Sequence, residues 1–82
     1  MDPETILKEL TAILRDVVFE DTISLTMQTV RSDIPAWDSF NYIAFMVAVE
    51  TRFGIKFRTS DIEAFANVGE IVQWISERKP HL

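Results

Sequence analysis

The sequence has no cysteine, and its 82 residues include only two glycines, three prolines and one histidine. Without cysteine there is neither a disulfide framework nor a thiolate zinc site, which suits a reducing compartment, and any thiol chemistry has to come from an attached group. With Gly54 and Gly69 as the only glycines, a glycine-lined phosphate cradle is excluded, and no G-x-S-x-G elbow or EF-hand loop is present. The single histidine, His81, lies past Pro80 near the end of the sequence. An exposed tail is expected there, not a triad with Ser39 and Asp38. Long apolar runs are missing too: the longest uncharged stretch, residues 39–49, is too short to span a bilayer. The N-terminal segment lacks a basic region followed by an apolar core, so no secretory signal is expected. These absences point to a soluble, cytoplasmic protein without membrane insertion.

Positive charge is scarce as well. Eight Lys and Arg against 13 Asp and Glu give a net charge of -5, which disfavours nucleic acid as a partner, because that binding depends on cations meeting phosphates. Basic partner surfaces fit better. Asp2, Glu4, Glu9, Asp16, Glu20 and Asp21 crowd the first quarter, whereas Arg52, Lys56 and Arg58 make the middle locally basic. A chain this short has room for one domain, residues 1–82, with one modest core. A two-site enzyme with its own substrate cleft is not expected in that length.

What is present is helical periodicity. Asp2-Pro3-Glu4 reads as a helix start, and Ile6, Leu7, Leu10, Ile13, Leu14, Val17 and Val18 then recur at spacings of three and four. This predicts a first helix over about residues 3–18. From Phe19 to Trp37 the pattern fails. Ile23, Leu25 and Met27 alternate with polar residues as a strand would, but no second strand is available, so a long ordered loop pegged down by Ile23, Leu25, Met27, Val30, Ile34 and Trp37 is predicted. A second helix follows over about residues 39–53. Ser60-Asp61-Ile62-Glu63 fits a capping box with Ser60 as the cap, opening a short third helix over about 60–66. Asn67-Val68-Gly69-Glu70 repeats the signature and opens a fourth over about 68–78, with Ile71, Trp74 and Ile75 inward and its end before Pro80. The expected fold is all-α, a small four-helix bundle of three longer helices and a short third, with the long loop between helices 1 and 2.

The stretch Ile34-Pro35-Ala36-Trp37-Asp38-Ser39-Phe40-Asn41 carries the functional signal. Pro35 biases Ile34 towards extended geometry, and an apolar run begins at Phe40, so Asp38 or Ser39 falls at the helix N-cap. A serine there sits at the positive end of a helix, where a phosphate ester is electrostatically welcome. Capping alone would equally explain an Asp-Ser pair at this position. The second helix also holds more apolar residues than a core needs. At 100° per residue, Tyr42, Phe45, Met46, Val49 and Phe53 fall on one side and Phe40, Ile43, Ala44 and Val47 on nearly the opposite side. The first set is the expected core face and the second an exposed docking face beginning beside Ser39.

Trp37-Asp38-Ser39-Phe40, followed by an apolar helix closing in Glu50-Thr51-Arg52-Phe53-Gly54-Ile55-Lys56-Phe57, resembles the acyl carrier protein family, in which a helix begins at Asp-Ser-Leu, runs to Glu-x-x-Phe and leads into an apolar turn. The resemblance extends over most of the chain, the long first loop included. It implies a 4'-phosphopantetheine arm, covalently attached to Ser39 from coenzyme A by a phosphopantetheinyl transferase, with Asp38 as the motif acid helping to hold Mg²⁺ during transfer. It further implies a monomeric, non-catalytic phosphoprotein, with no permanently bound metal, that carries an acyl or related carboxylic group as a thioester, as in fatty acid or polyketide biosynthesis. Acyl-loading or aminoacyl-loading enzymes and acyl-using enzymes would dock on Phe40, Asn41, Ile43, Ala44 and Val47. Two departures from housekeeping members stand out. Phe40 replaces the usual leucine, and Asn41, Ala44, Thr51 and Arg52 stand where acids line the second helix of those proteins, leaving Glu50 the only acid in the helix body. Together with Ile34-Pro35, this is similar to specialised, stand-alone carriers of dedicated pathways. An aminoacyl or peptidyl carrier, or an unmodified helical interaction module with Ser39 as a mere cap, are the other readings.

Overall fold

Pro3 at the first turn of a helix loses no hydrogen bond, and Asp2 before it supplies the missing acceptor. In the computed structural model, which describes residues 2–78, Asp2 accepts the Thr5 amide at 3.1 Å and its hydroxyl at 2.8 Å. The Thr5 hydroxyl and amide hold the Asp2 carboxyl below its ordinary range. Helix α1 runs Pro3–Val18 and buries Ile6, Leu10 and Leu14, the inner line of the predicted stripe. It ends at Phe19 in the left-handed region, with the Phe19 amide bonded to the Arg15 carbonyl. The described residues form four α-helices and no strand: α1, α2 (Ser39–Phe53), α3 (Thr59–Ala64) and α4 (Val68–Arg78). Helix α1 packs against both α2 and α4. The expectations for Pro80 and His81 concern positions outside the described residues.

The long loop is ordered as its apolar pegs predict, except that Val30 is not among the residues packed on the core. Ile23, Leu25 and Trp37 are buried, with Met27 and Ile34 packed beside them. Polar groups add to this: Arg15 Nε donates to the Ile23 carbonyl at 2.7 Å, and the buried Thr29 hydroxyl accepts the Thr26 amide at 2.8 Å. The periodicity had not indicated a single 3₁₀ turn at Arg31–Asp33, where Asp33 accepts the Val30 amide at 3.0 Å. Two backbone bonds then fasten the loop to the start of α4: the Val68 amide donates to the Thr29 carbonyl at 2.9 Å and the Gly69 amide to the Met27 carbonyl at 2.8 Å. A Cβ at position 69 would lie 2.7 Å from the Met27 oxygen, which is why glycine stands there.

Helix α3 departs from the expected pattern. It begins at Thr59 after Arg58, and Ser60 is not its cap; the Asp61 carboxylate reaches back to the Arg58 amide at 3.0 Å, so the capping arrangement lies two residues earlier than predicted. That bond is the main reason the Asp61 carboxyl is held low. Three adjacent residues, Thr59, Ser60 and Asp61, can all accept from a helix start, and the carboxylate is the strongest acceptor of the three. At α4 the Asn67 side chain caps the Glu70 amide at 3.0 Å as expected, whereas Glu70 returns to the Ala66 amide at 2.9 Å.

Candidate functional site

Asp38 has extended backbone angles, and its Oδ1 accepts the Asn41 amide at 2.9 Å, so Asp38 is the N-cap of α2 and Ser39 its first residue. The Tyr42 amide closes the first turn on the Asp38 carbonyl at 2.8 Å. The amides of Ser39 and Phe40 and the Ser39 hydroxyl have no partner among the described residues. Ser39 is exposed. A nucleophilic oxygen thus stands in solvent at the positive end of a 15-residue helix, beside a carboxylate that does the capping in its place.

The two faces of α2 separate as the spacing predicts. Tyr42, Phe45, Met46, Val49 and Phe53 are buried, while Phe40, Ile43 and Val47 are 79%, 52% and 54% exposed, with Ala44 half-buried between them. Trp37 holds the helix entry. Its ring lies edge-on to Phe45 at 5.1 Å and to Tyr42 at 6.0 Å. The Asn41 side chain donates to the Ala36 carbonyl at 2.7 Å, so Asn41, expected on the docking face, ties α2 to the loop.

The structure corrects the reading of two charged residues on this helix. Arg52 was expected as an outward cation on the docking side, but its guanidinium makes two bonds to the Glu9 carboxylate of α1, at 2.6 and 3.1 Å. It sits at the α1–α2 seam with its charge compensated. Glu50 is not a free acid either, for it accepts the Phe57 amide at 2.8 Å and fixes the turn after α2. That turn begins at Gly54, in the left-handed region at φ 66°. Sequence spacing locates a residue on a helix but not the partner that a neighbouring helix brings to it.

A groove of about 500 Å³ opens beside Ser39, a feature with no signature in any one segment. Ser39, Tyr42 and Ile43 form one wall, Thr29, Arg31 and Trp37 of the loop another, and Ile62, Glu63 and Phe65 with the start of α4 the rest. The Tyr42 hydroxyl donates to the Ile62 carbonyl at 2.7 Å and so fastens α3 across the groove. Burial pushes the Tyr42 phenol up, partly opposed by the Arg31 cation. The one sign of the groove in the sequence is Arg31, the only Lys or Arg between Arg15 and Arg52. No group of three or more His, Asp or Glu side chains placed to hold a metal ion occurs among the described residues. No helix among them is long and apolar enough to cross a membrane.

The residues fit a phosphopantetheine arm: an exposed hydroxyl for the ester, unpaired amides for its phosphate, and an adjoining half-apolar groove. No protein-family model matches the chain, and no curated protein matches it significantly. Among solved structures it is similar to the solution NMR structure of the holo acyl carrier protein from Geobacter metallireducens, with a TM-score of 0.79 and 32% identity over 93% of this chain and 92% of that one. Shared sequence and shared fold over nearly the full length of both make this chain a member of the acyl carrier protein family.

Proposed function

We propose that the protein is a non-catalytic carrier that holds an acyl or related carboxylic group as a thioester on a 4'-phosphopantetheine arm attached to Ser39. The observation that carries this reading is the placement of Ser39, exposed at the first position of α2 and lining the groove, with the cap supplied by Asp38. The similar Geobacter protein was solved in its holo form, which supports the same reading. The arm supplies a thiol that the chain itself lacks. Residues 1–82 act in this reading as one monomeric, cytoplasmic carrier domain; on a phosphopantetheinyl transferase the Ser39 hydroxyl attacks the phosphorus of the phosphopantetheine half of coenzyme A, the pyrophosphate P–O bond breaks, adenosine 3',5'-bisphosphate leaves and the hydroxyl proton passes to a base of the transferase. The Asp38 oxygen not engaged at the cap suits a Mg²⁺ ion held during that transfer. The test is the intact mass after incubation with coenzyme A, Mg²⁺ and a broad-specificity transferase. A gain of one arm is expected, and no gain with several transferases overturns the reading. Asp38→Asn keeps a good helix cap while removing the charge, so it is expected to slow attachment with little loss of stability. Equal rates for the two proteins would remove Asp38 from the metal role.

The exposed stripe Phe40, Ile43 and Val47 is the proposed seat for loading and acyl-using enzymes of a dedicated pathway, because large apolar side chains in solvent are costly unless something covers them. Housekeeping fatty-acid enzymes that recognise an acidic second helix find little charge to read here. Arg52 is paired with Glu9, and Glu50 with a backbone amide. Ala44→Glu with Thr51→Glu leaves both of these contacts intact. Loading of the holo-protein by a housekeeping malonyl transferase is expected to be slow and only weakly salt-dependent. The double variant should load faster at low salt, with the gain fading as salt screens it. Equal loading of the two proteins at all salt concentrations would show that charge does not set the partner.

A further inference from the structure

The loop between α1 and α2 carries a single cation, Arg31. Its guanidinium carbon lies 4.6 Å from the centre of the Tyr42 ring. No carboxylate among the described residues pairs with it; the ion pairs there are Arg52 with Glu9, Arg58 with Asp61 and Arg78 with Glu77. Asp33, the acid of its own turn, is engaged instead by the Val30 amide. A guanidinium resting on an aromatic face is held in place while its charge and its N–H donors stay available.

Tyr42 follows Ser39 by three residues on α2, so their Cβ atoms are neighbours at about 5–6 Å. Arg31 therefore stands on the order of 10 Å from the Ser39 hydroxyl, a separation comparable to the Debye length of about 8 Å at physiological salt. Ser39, Tyr42 and Arg31 all line the same groove. Its charged lining residues lie on different walls, Arg31 on the loop and Glu63 on α3, with Asp38 next to Ser39 adding a further negative charge nearby.

We propose that Arg31 is the cation that draws the phosphodiester of a Ser39-linked phosphopantetheine arm towards the loop side of the groove, an inference that rests on the carrier reading above. A phosphodiester is a monoanion, and across a separation of about 10 Å Arg31 acts on it by charge and not by direct contact. It is also the first group of the arm, so attachment to Ser39 fixes its neighbourhood as it does for no other part. Glu63 repels it from the α3 wall and Arg31 draws it to the loop wall, so the arm leaves Ser39 along the loop. Arg31 thereby offsets the crowding of negative charge that modification would otherwise create between Asp38, Glu63 and the phosphate. Arg31 is on this account a positioning residue.

The test compares wild type, Arg31→Gln and Arg31→Lys, each apo and holo, with attachment scored by intact mass. The Arg31 Nε–Hε resonance of the ¹⁵N-labelled wild type is expected to shift on modification, and the ³¹P signal of the arm to differ between wild type and Arg31→Gln. On modification Arg31→Gln should lose about 2–5 °C more in melting temperature than wild type at low salt, less at high salt, with Arg31→Lys between them. An unmoved Nε–Hε resonance together with equal melting shifts in wild type and Arg31→Gln overturns the proposal. Malonyl-loaded and acetyl-loaded forms separate the two possible anions: a response that appears only with malonyl assigns Arg31 to the cargo carboxylate and also overturns it. An arm that attaches without any Arg31 response removes this proposal alone, whereas no arm on Ser39 removes the carrier reading with it.

Discussion

Phe45→Ala is expected to cost about 3–5 kcal/mol, against a total stability on the order of 5–15 kcal/mol for a small domain. Phe45 is fully buried on the inner face of α2, with Trp37 edge-on at 5.1 Å, so its loss leaves a cavity that the loop anchor cannot fill without shifting. Val47, two residues on and 54% exposed, loses little contact on truncation, and Val47→Ala should stay within about 0.5 kcal/mol of wild type. Urea titrations of the two variants give the comparison directly. Similar midpoints would mean that the helix is turned round and that the proposed docking stripe is the core.

Ser39→Ala should abolish attachment of the arm while leaving the fold essentially unchanged. If serine were the N-cap, the same change would typically cost about 1 kcal/mol. Because Asp38 accepts the Asn41 amide and Ser39 is already inside the helix, alanine at 39 removes no bond found among the described residues and brings a better helix former. The variant therefore tests chemistry without confounding stability. Ser24, Ser32, Ser60 and Ser76 remain in it as internal controls. An unchanged mass gain in Ser39→Ala would move the attachment site elsewhere, and a far-ultraviolet circular dichroism melt confirms that a lost gain is not lost structure.

Helices α1, α2 and α4 were legible in the sequence because two independent signals, a cap residue and a 3.6-residue apolar period, agree at each. Helix α3 was readable only approximately: six residues are too few for periodicity, and Thr59, Ser60 and Asp61 compete as caps. The two faces of α2 followed from angular spacing alone. Arg52 and Glu50 could not be assigned that way, since the Glu9 carboxylate and the Phe57 amide that claim them come from elsewhere in the chain. The groove was hidden for the same reason. Its walls belong to the loop, α2, α3 and α4, and no single segment bears its mark.

The fastening of Met27 and Thr29 to the amides of Gly69 and Val68 has a consequence for local unfolding. A segment with almost no regular secondary structure usually exchanges its amide hydrogens freely, but this one cannot detach without also freeing the first two amides of α4, whose Val68, Ile71, Val72 and Ile75 are buried. Loop and α4 therefore open as one cooperative unit. Helix α3 buries no residue fully and is held by half-buried Ile62 and the adjoining Phe65 against the core, by the Tyr42 hydroxyl and by the Phe57–Phe65 edge contact, so it is expected to open at lower free energy than the loop and α4. Of the walls around Ser39, the loop and α4 share the buried core, and α3, which meets it only through half-buried side chains, is the one the core holds least.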